Sequence, residues 1–184
     1  MFAPGMILLK DGRSVDMRLL HEHDAPALLQ YLNALSAASK SRFGPHAFDE
    51  ATVNDICNHL PGDDTARYVA WLGNDIKAYM LVKRGMIAFD AERYAQLHMH
   101  FDAATTVTYA PSVADDFQNT GLGSAMFTII VDALKEQGCT SIILWGGVQA
   151  TNSRAVHFYG KFGFTPVAHF WHDDKDNIDM VLTL

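Results

Sequence analysis

The feature that most constrains this chain is a change of hydrophobic period across one glycine-bearing loop, Val113-Ala114-Asp115-Asp116-Phe117-Gln118-Asn119-Thr120-Gly121-Leu122-Gly123-Ser124. Before it, Thr105 to Val113 is rich in β-branched and aromatic residues and reads as a strand. After it, Leu122, Ala125, Met126, Ile129, Ala133 and Leu134 fall on one face of a predicted helix. The first turn of a helix carries N–H groups with no intrahelical partner, and the aligned peptide dipoles make that end partly positive. Gly121 and Gly123 have no Cβ to keep an anion away from those amides. A strand, loop and helix of this kind can bind a phosphate without a lysine.

The 184 residues are read as one domain, 1–184, long enough to bury about 70% of its unfolded surface. A formal charge of −7 with only 14 scattered Lys and Arg excludes a basic patch for nucleic acid or a membrane surface. The expected partner is small or locally cationic. Cys57 and Cys139 stand outside any metal-ligand spacing and read as buried packing residues. Two cysteines and no signal-like segment give the expectation of a cytoplasmic protein, the apolar run Met6 to Leu9 being too short to target or span.

In chain order, Met6 to Leu9 and Ser14 to Leu19 form a predicted hairpin about the Asp11-Gly12 turn. Asp24 is expected to cap a helix with Pro26 in its first turn and Leu28, Leu29, Leu32 and Leu35 on its apolar face, ending near Ser39 to Ser41. Asp49 caps a second helix carrying Val53, Ile56, Cys57 and Leu60, closed by Pro61-Gly62. Tyr68 to Leu72 and Ala78 to Lys83 read as a hairpin. Gly85 to Ala104 has no clean period and receives no assignment. If extended, it places His98, His100 and Asp102 on one face, but no fourth ligand accompanies them and no metal site is assigned. Gly138 suits a helix C-cap, Ser141 to Trp145 a buried strand, and Asn152 the cap of a helix over Ser153 to Lys161. Val167 to Trp171 and Ile178 to Leu182 are strands joined by Asp173 to Asn177. The order implies an α/β or α+β layered domain with a mixed sheet.

The Gln118-x-x-Gly121-x-Gly123 pattern is common by chance, and two familiar phosphate motifs do not fit it. A dinucleotide fingerprint requires a third glycine where Met126 stands and an acidic residue after Trp145, and a P-loop requires Lys-Ser or Lys-Thr. The later stretch Asn152-Ser153-Arg154-Ala155-Val156-His157-Phe158-Tyr159-Gly160-Lys161-Phe162-Gly163-Phe164 supplies the discriminating context, with Asn152, Ala155 and Tyr159 at helical spacing. Together the two stretches resemble the GNAT family of N-acetyltransferases over about Thr105 to Phe164, while the residues before them agree in layout.

That resemblance implies a mixed, mostly antiparallel sheet flanked by helices on both faces. It also implies acetyl-CoA as co-substrate and no metal. Val113 would pair its backbone with the pantetheine arm, and the amides of Gln118, Asn119, Thr120, Gly121, Leu122, Gly123 and Ser124 would hold the pyrophosphate. Asn152 would contact pantetheine or acceptor, Phe158 would pack on the coenzyme, and Tyr159 would be the catalytic acid for the leaving thiolate. An amine attacks the thioester directly, so the protein must position both substrates, remove a proton and hold an oxyanion.

The sequence departs from the family pattern at several points. Asp115 stands where proline is frequent, and Asn119-Thr120 replaces a basic pair. Pro111 offers no N–H near the acetyl carbonyl, and the strand Thr105 to Val113 has no carboxylate to serve as base. His98, His100, Asp102 and His172 are the candidate bases. Arg42 or His46, in the connector that borders the acceptor pocket in the family, would read an anionic acceptor. The expected reaction is acetyl transfer to a primary amine of a small molecule. Its alternatives are a protein lysine or N-terminus as acceptor, and an acyl-CoA-binding sensor without turnover. The C-terminal strands permit a homodimer.

Overall fold

The structure, a computed structural model, describes residues 5–184. Nine strands among them form one mixed, mostly antiparallel sheet in the order β1-β2-β3-β4-β5-β6-β9-β7, with β8 paired to β9. The strands are β1 Gly5–Leu8, β2 Ser14–Leu19, β3 Thr65–Leu72, β4 Asp75–Arg84, β5 Thr106–Val113, β6 Ser141–Leu144, β7 Val148–Gln149, β8 Thr165–His172 and β9 Lys175–Thr183. Six α-helices accompany them: α1 Ala25–Ala34, α2 Ala37–Lys40, α3 Glu50–His59, α4 Ala88–Gln96, α5 Leu122–Glu136 and α6 Ser153–Lys161. Contacts divide the chain into two compact units, one reaching Val82 and taking up Ala110–Ala133, the other made of Lys83–Tyr109 and Leu134–Leu184.

The first unit opens with the expected hairpin, β1 pairing antiparallel with β2 from Gly5↔Met17 to Leu8↔Ser14. Its turn works because Gly12 takes φ +85° and Asp11 accepts the Arg13 amide at 3.0 Å. α1 starts at the predicted place but not by the predicted means. Asp24 makes no side-chain cap; its carboxylate takes a two-pronged contact from Arg18 on β2 at 2.6 and 2.8 Å and the His21 amide at 2.8 Å. α1 also ends earlier than expected, and Ser36 caps the separate short helix α2 by accepting the Ser39 amide at 3.2 Å. Asp49 caps α3 as predicted, accepting the Thr52 amide at 2.9 Å. The buried residues of α1 and α3 are Leu28, Tyr31, Leu32, Val53 and Cys57, leaving Leu29, Ile56 and Leu60 half-buried.

In the second unit, the unassigned segment folds as α4, and His98 beyond it takes a left-handed φ of +55°. The extended run that would have aligned His98, His100 and Asp102 therefore does not form. α4 escaped the sequence reading because its inward residues are few, chiefly Asp90 and Tyr94. Asp90 and Asp179, both fully buried, flank Arg93, which donates to them at 2.8 and 2.7 Å and stacks 3.7 Å from the centroid of the Phe170 ring. β5 and β6 run parallel from Thr106↔Ser141 to Tyr109↔Leu144, and β8 and β9 meet through a two-residue turn, Asp173-Asp174, with both residues left-handed. That turn is shorter than the predicted one, so β9 begins at Lys175.

Candidate functional site

The organising loop lies wholly in the first unit. β5 continues to Val113, and Ala114 then donates its amide to the Lys77 carbonyl of β4 at 2.9 Å. A 3₁₀ turn over Asp115–Phe117 buries the Phe117 ring, with Arg13 stacked on it at 3.9 Å. Gln118 turns its side chain inward, donating to the Val113 carbonyl at 3.1 Å and Ser39 Oγ at 3.2 Å. Asp115 is no free turn residue. Its carboxylate accepts the Ser36 amide at 2.9 Å, Ser36 Oγ at 2.9 Å and Ser39 Oγ at 2.7 Å, and so pins α2 to the loop.

The last residues before α5 are shaped by left-handed backbone. Asn119 adopts φ +64°, tolerable for Asn, and Gly121 φ +93°, which requires glycine. Thr120 Oγ1 donates to the Phe117 carbonyl at 2.7 Å. The first helical bond of α5 runs from Ala125 N to the Gly121 carbonyl, so among the described residues the Gly123 and Ser124 amides have no backbone acceptor behind them. Gly123 serves a different purpose from Gly121: a Cβ there would meet only Val113 Cγ2, at an ordinary 3.6 Å. The buried stripe of α5 is Leu122, Met126, Phe127, Ile130 and Leu134, one step round from the predicted face; Ala125, Ile129 and Ala133 are half-buried.

The residues of the later motif lie in the second unit. Past β6, Gly146 and Gly147 take φ +64° and +68°, and a Cβ on Gly147 would sit 2.8 Å from the Ile178 carbonyl oxygen. The Gly146 amide donates to Asp90 at 3.1 Å. Asn152 caps α6 by accepting the Ala155 amide at 3.3 Å. Tyr159 is 6% exposed, its ring 5.2 Å from Phe164 and 5.4 Å from Phe158, and Phe158 also contacts Phe162 at 4.9 Å. Burial of Tyr159 pushes its pKa up, so the phenol keeps its proton throughout the neutral range.

The Acetyltransferase (GNAT) family matches residues 32–164, most of the chain. The chain belongs to this acetyltransferase family. As a GNAT protein it shares its fold with the GNAT domain of S. lividans PAT at a TM-score of 0.75 and 20% identity, covering 98% of this chain and 97% of that one. It also resembles the acetyltransferase of GNAT family from Streptococcus pneumoniae (TM-score 0.67, 17% identity, 92% and 99% covered). The aminoglycoside acetyltransferase AAC(6')-Ib, solved with coenzyme A, gives a TM-score of 0.67 at 22% identity over 92% and 94% of the two chains. No curated protein matches significantly in sequence.

Within this GNAT chain, the first unit brings together Val113 and Gln118 to Ser124, and the second brings together Phe158 and Tyr159 on the helix capped by Asn152. The base candidates fare differently. His98, His100, Asp102 and His172 are all exposed; Asp102 accepts the Ala104 amide at 2.9 Å, and His172 stacks on Phe89 at 4.8 Å. Among the described residues no cluster of three His, Cys, Asp or Glu could hold a metal, and no helix is long and apolar enough to cross a membrane. Arg42 is exposed, whereas His46 is packed among Phe43, Phe48 and Tyr79 at ring distances of 5.5, 6.4 and 5.7 Å. Burial lowers the His46 pKa, so it carries no charge for an anionic acceptor at neutral pH.

Proposed function

We propose that this acetyltransferase moves the acetyl group of acetyl-CoA to a primary amine of a small molecule, within one catalytic domain of residues 1–184. The observation that carries the reading is the Val113–Ser124 unit, where left-handed Asn119 and Gly121 turn the chain so that α5 begins with free amides. These amides and the positive end of α5 would receive the pyrophosphate, and the Val113 backbone would pair with pantetheine. Gln118 contributes as a brace, its side chain being spent on Val113 and Ser39.

Acetyl-CoA supplies an activated acyl group. The amine nitrogen forms a bond to the carbonyl carbon, the C–S bond breaks with its electrons going to sulfur, and the thiolate takes a proton. Tyr159 is the donor in that last transfer; burial keeps its phenol protonated and also makes it a weaker acid. A thiol of ordinary pKa about 8.5 leaves partly unaided, so Tyr159 accelerates the step without being indispensable. Asn152 and Phe158 would border the pantetheine. The small-amine assignment draws support from the structural neighbour AAC(6')-Ib, solved with ribostamycin and coenzyme A.

The test is thiol release from acetyl-CoA against a panel of small amines and a lysine peptide. Release with small amines is expected. Release with the peptide alone would move the acceptor to proteins, and coenzyme binding without release would leave a sensor.

A further inference from the structure

β8 lies at an edge of the sheet. It pairs with β9 and with no other strand among the described residues, so one side of its backbone has no ladder. Which residues face that side follows from the hairpin. Asp173 and Asp174 are both left-handed, as a two-residue turn between twisted strands requires, and such a turn closes on a hydrogen-bonded pair, here His172↔Lys175. Bonded and non-bonded pairs alternate along an antiparallel ladder. Phe170↔Asn177 and Ala168↔Asp179 therefore exchange hydrogen bonds, whereas Trp171↔Asp176 and His169↔Ile178 do not. The N–H and C=O groups of His169 and Trp171 point out from the free edge.

The side chains of these two residues are as open as their backbone. Trp171 is 75% exposed, more than any other large hydrophobic residue among those described. Phe170 and His172 turn to the other face and meet Phe89 of α4 at 6.2 and 4.8 Å. His169 is exposed on the face of Trp171, its Nδ1 3.0 Å from the Asp176 carboxylate. Monomeric proteins guard such an edge with lysine, proline or a bulge. β8 has Pro166 and a register shift between Pro166 and Ala168, but both lie at its start, and the run 168–172 carries no lysine, proline or carboxylate. An open indole beside outward-facing amides on a regular strand suits pairing with another strand.

We propose that this edge pairs with the same edge of a second copy of the chain, β8 against β8 antiparallel, to make a homodimer. Symmetry and charge select both the occupant and the register. In a two-fold contact residue i meets j and j meets i, and centring it on Phe170 matches the whole run 168–172 to itself. His169 then exchanges both of its backbone hydrogen bonds with the partner's Trp171, and Trp171 with the partner's His169. Centring on Trp171 or on His169 would leave part of the run facing the left-handed turn or the register shift. In the chosen register the Trp171 ring lies against the partner's His169. The acidic turn Asp173-Asp174 falls beside the partner's Val167 and Pro166, so no carboxylate meets a carboxylate. Aromatic side chains bury about 150–250 Å² each, so two indoles and the paired run place the contact near the lower end of specific interfaces, about 1,200 Å² in total. A contact of that size suits an exchanging dimer with a Kd on the order of 10 μM. The pairing is independent of which reaction the protein performs.

The test is sedimentation velocity from about 1 to 300 μM, where wild type should pass from a 20.4 kDa monomer towards twice that mass. Trp171→Lys should raise the Kd about tenfold or more while keeping the wild-type Tm in dilute solution, which shows that it is folded. Met6→Lys changes a comparably exposed residue on the other edge strand, β1, and should leave the Kd unchanged. Hydrogen exchange followed by NMR at about 300 μM reads the parity: the amides of residues 169 and 171 should exchange several-fold faster in Trp171→Lys than in wild type, whereas those of 170 and 172, bonded to β9, should be alike in both. A monomer throughout the range would overturn the proposal and leave the edge to a strand of another protein. Association that survives Trp171→Lys, that Met6→Lys abolishes, or that leaves the residue 169 amide exchanging as fast in wild type as in the variant would overturn it as well.

Discussion

Asp115→Ala should loosen the phosphate loop from a distance. The carboxylate accepts three hydrogen bonds of 2.7–2.9 Å, two of them from Ser36 and one from Ser39. Hydrogen bonds to a charged group contribute about 1.5–3 kcal/mol when well buried; on this exposed, shared carboxylate the three together should contribute about 2 kcal/mol. In a chain of this size that is a fall in Tm of roughly 4–8 °C. α2, at four residues, is too short to persist on its own, so its amides should exchange faster with solvent. Gln118 loses part of its bracing through Ser39, and coenzyme A should bind several-fold more weakly. Thermal unfolding, hydrogen exchange over residues 36–41 and calorimetric titration with coenzyme A measure the three effects. Asp115→Asn, which can still accept at one oxygen, should fall between. A Tm and α2 exchange rate like wild type would refute the bracing argument irrespective of what the loop binds.

Further outcomes follow from the same geometry. Tyr159→Phe should lower turnover by about tenfold or more with little change in coenzyme binding, and unchanged turnover would remove Tyr159 from the mechanism. Gly147→Ala combines a left-handed φ with a Cβ 2.8 Å from a backbone oxygen, and should cost roughly 2–5 kcal/mol in denaturant titration. Gly146→Ala, left-handed but with open space, should cost only about 1–2 kcal/mol, and equal losses would show that the contact is relieved. Burial raises the Asp24 carboxyl, but the Arg18 guanidinium and His21 amide outweigh it and hold the pKa below the usual carboxylate value. Its contribution is present above about pH 4 and lost as pH falls through the folded pKa. Asp24→Asn should therefore destabilise by about 1–3 kcal/mol at pH 7 and scarcely at all near pH 2, as read by urea unfolding at each pH.

What the sequence made legible was whatever depends on neighbours a few residues apart. The hairpin turn at Gly12, the Asp49 and Asn152 caps and the strand-to-helix switch at Gly121 are set by local backbone chemistry, and each falls where expected. α4 was illegible for the converse reason. Its inward face is held by the Asp90–Arg93–Asp179 network, which hydrophobic periodicity reads as solvent-facing charge, and Asp179 lies 86 residues from Arg93. Asp24 shows the same limit on a smaller scale: its composition is right for a cap, but Arg18 on β2 competes for the carboxylate and wins. The burial of His46 could not be read from the sequence, because it follows from packing among Phe43, Phe48 and Tyr79 of β4.

Asp115 has a different part in the fold from the one its residue type suggests. A proline at that position would fix φ locally and limit the paths by which the chain can leave β5. Aspartate gives no such restriction, and judged on its own residue type it looks like a loss of order beside a phosphate site, with an added repulsive charge. In the fold, its oxygens are occupied by the Ser36 amide and two serine hydroxyls, 76–79 residues away in sequence. Those donors share the carboxylate charge and replace a covalent constraint with a tertiary one. The loop's order is thereby tied to the connector that follows α1, so that a change at Ser36 or Ser39 should be felt at Gln118, which shares the Ser39 hydroxyl. A chain with proline at position 115 would lack that coupling, having no acceptor for the two serines.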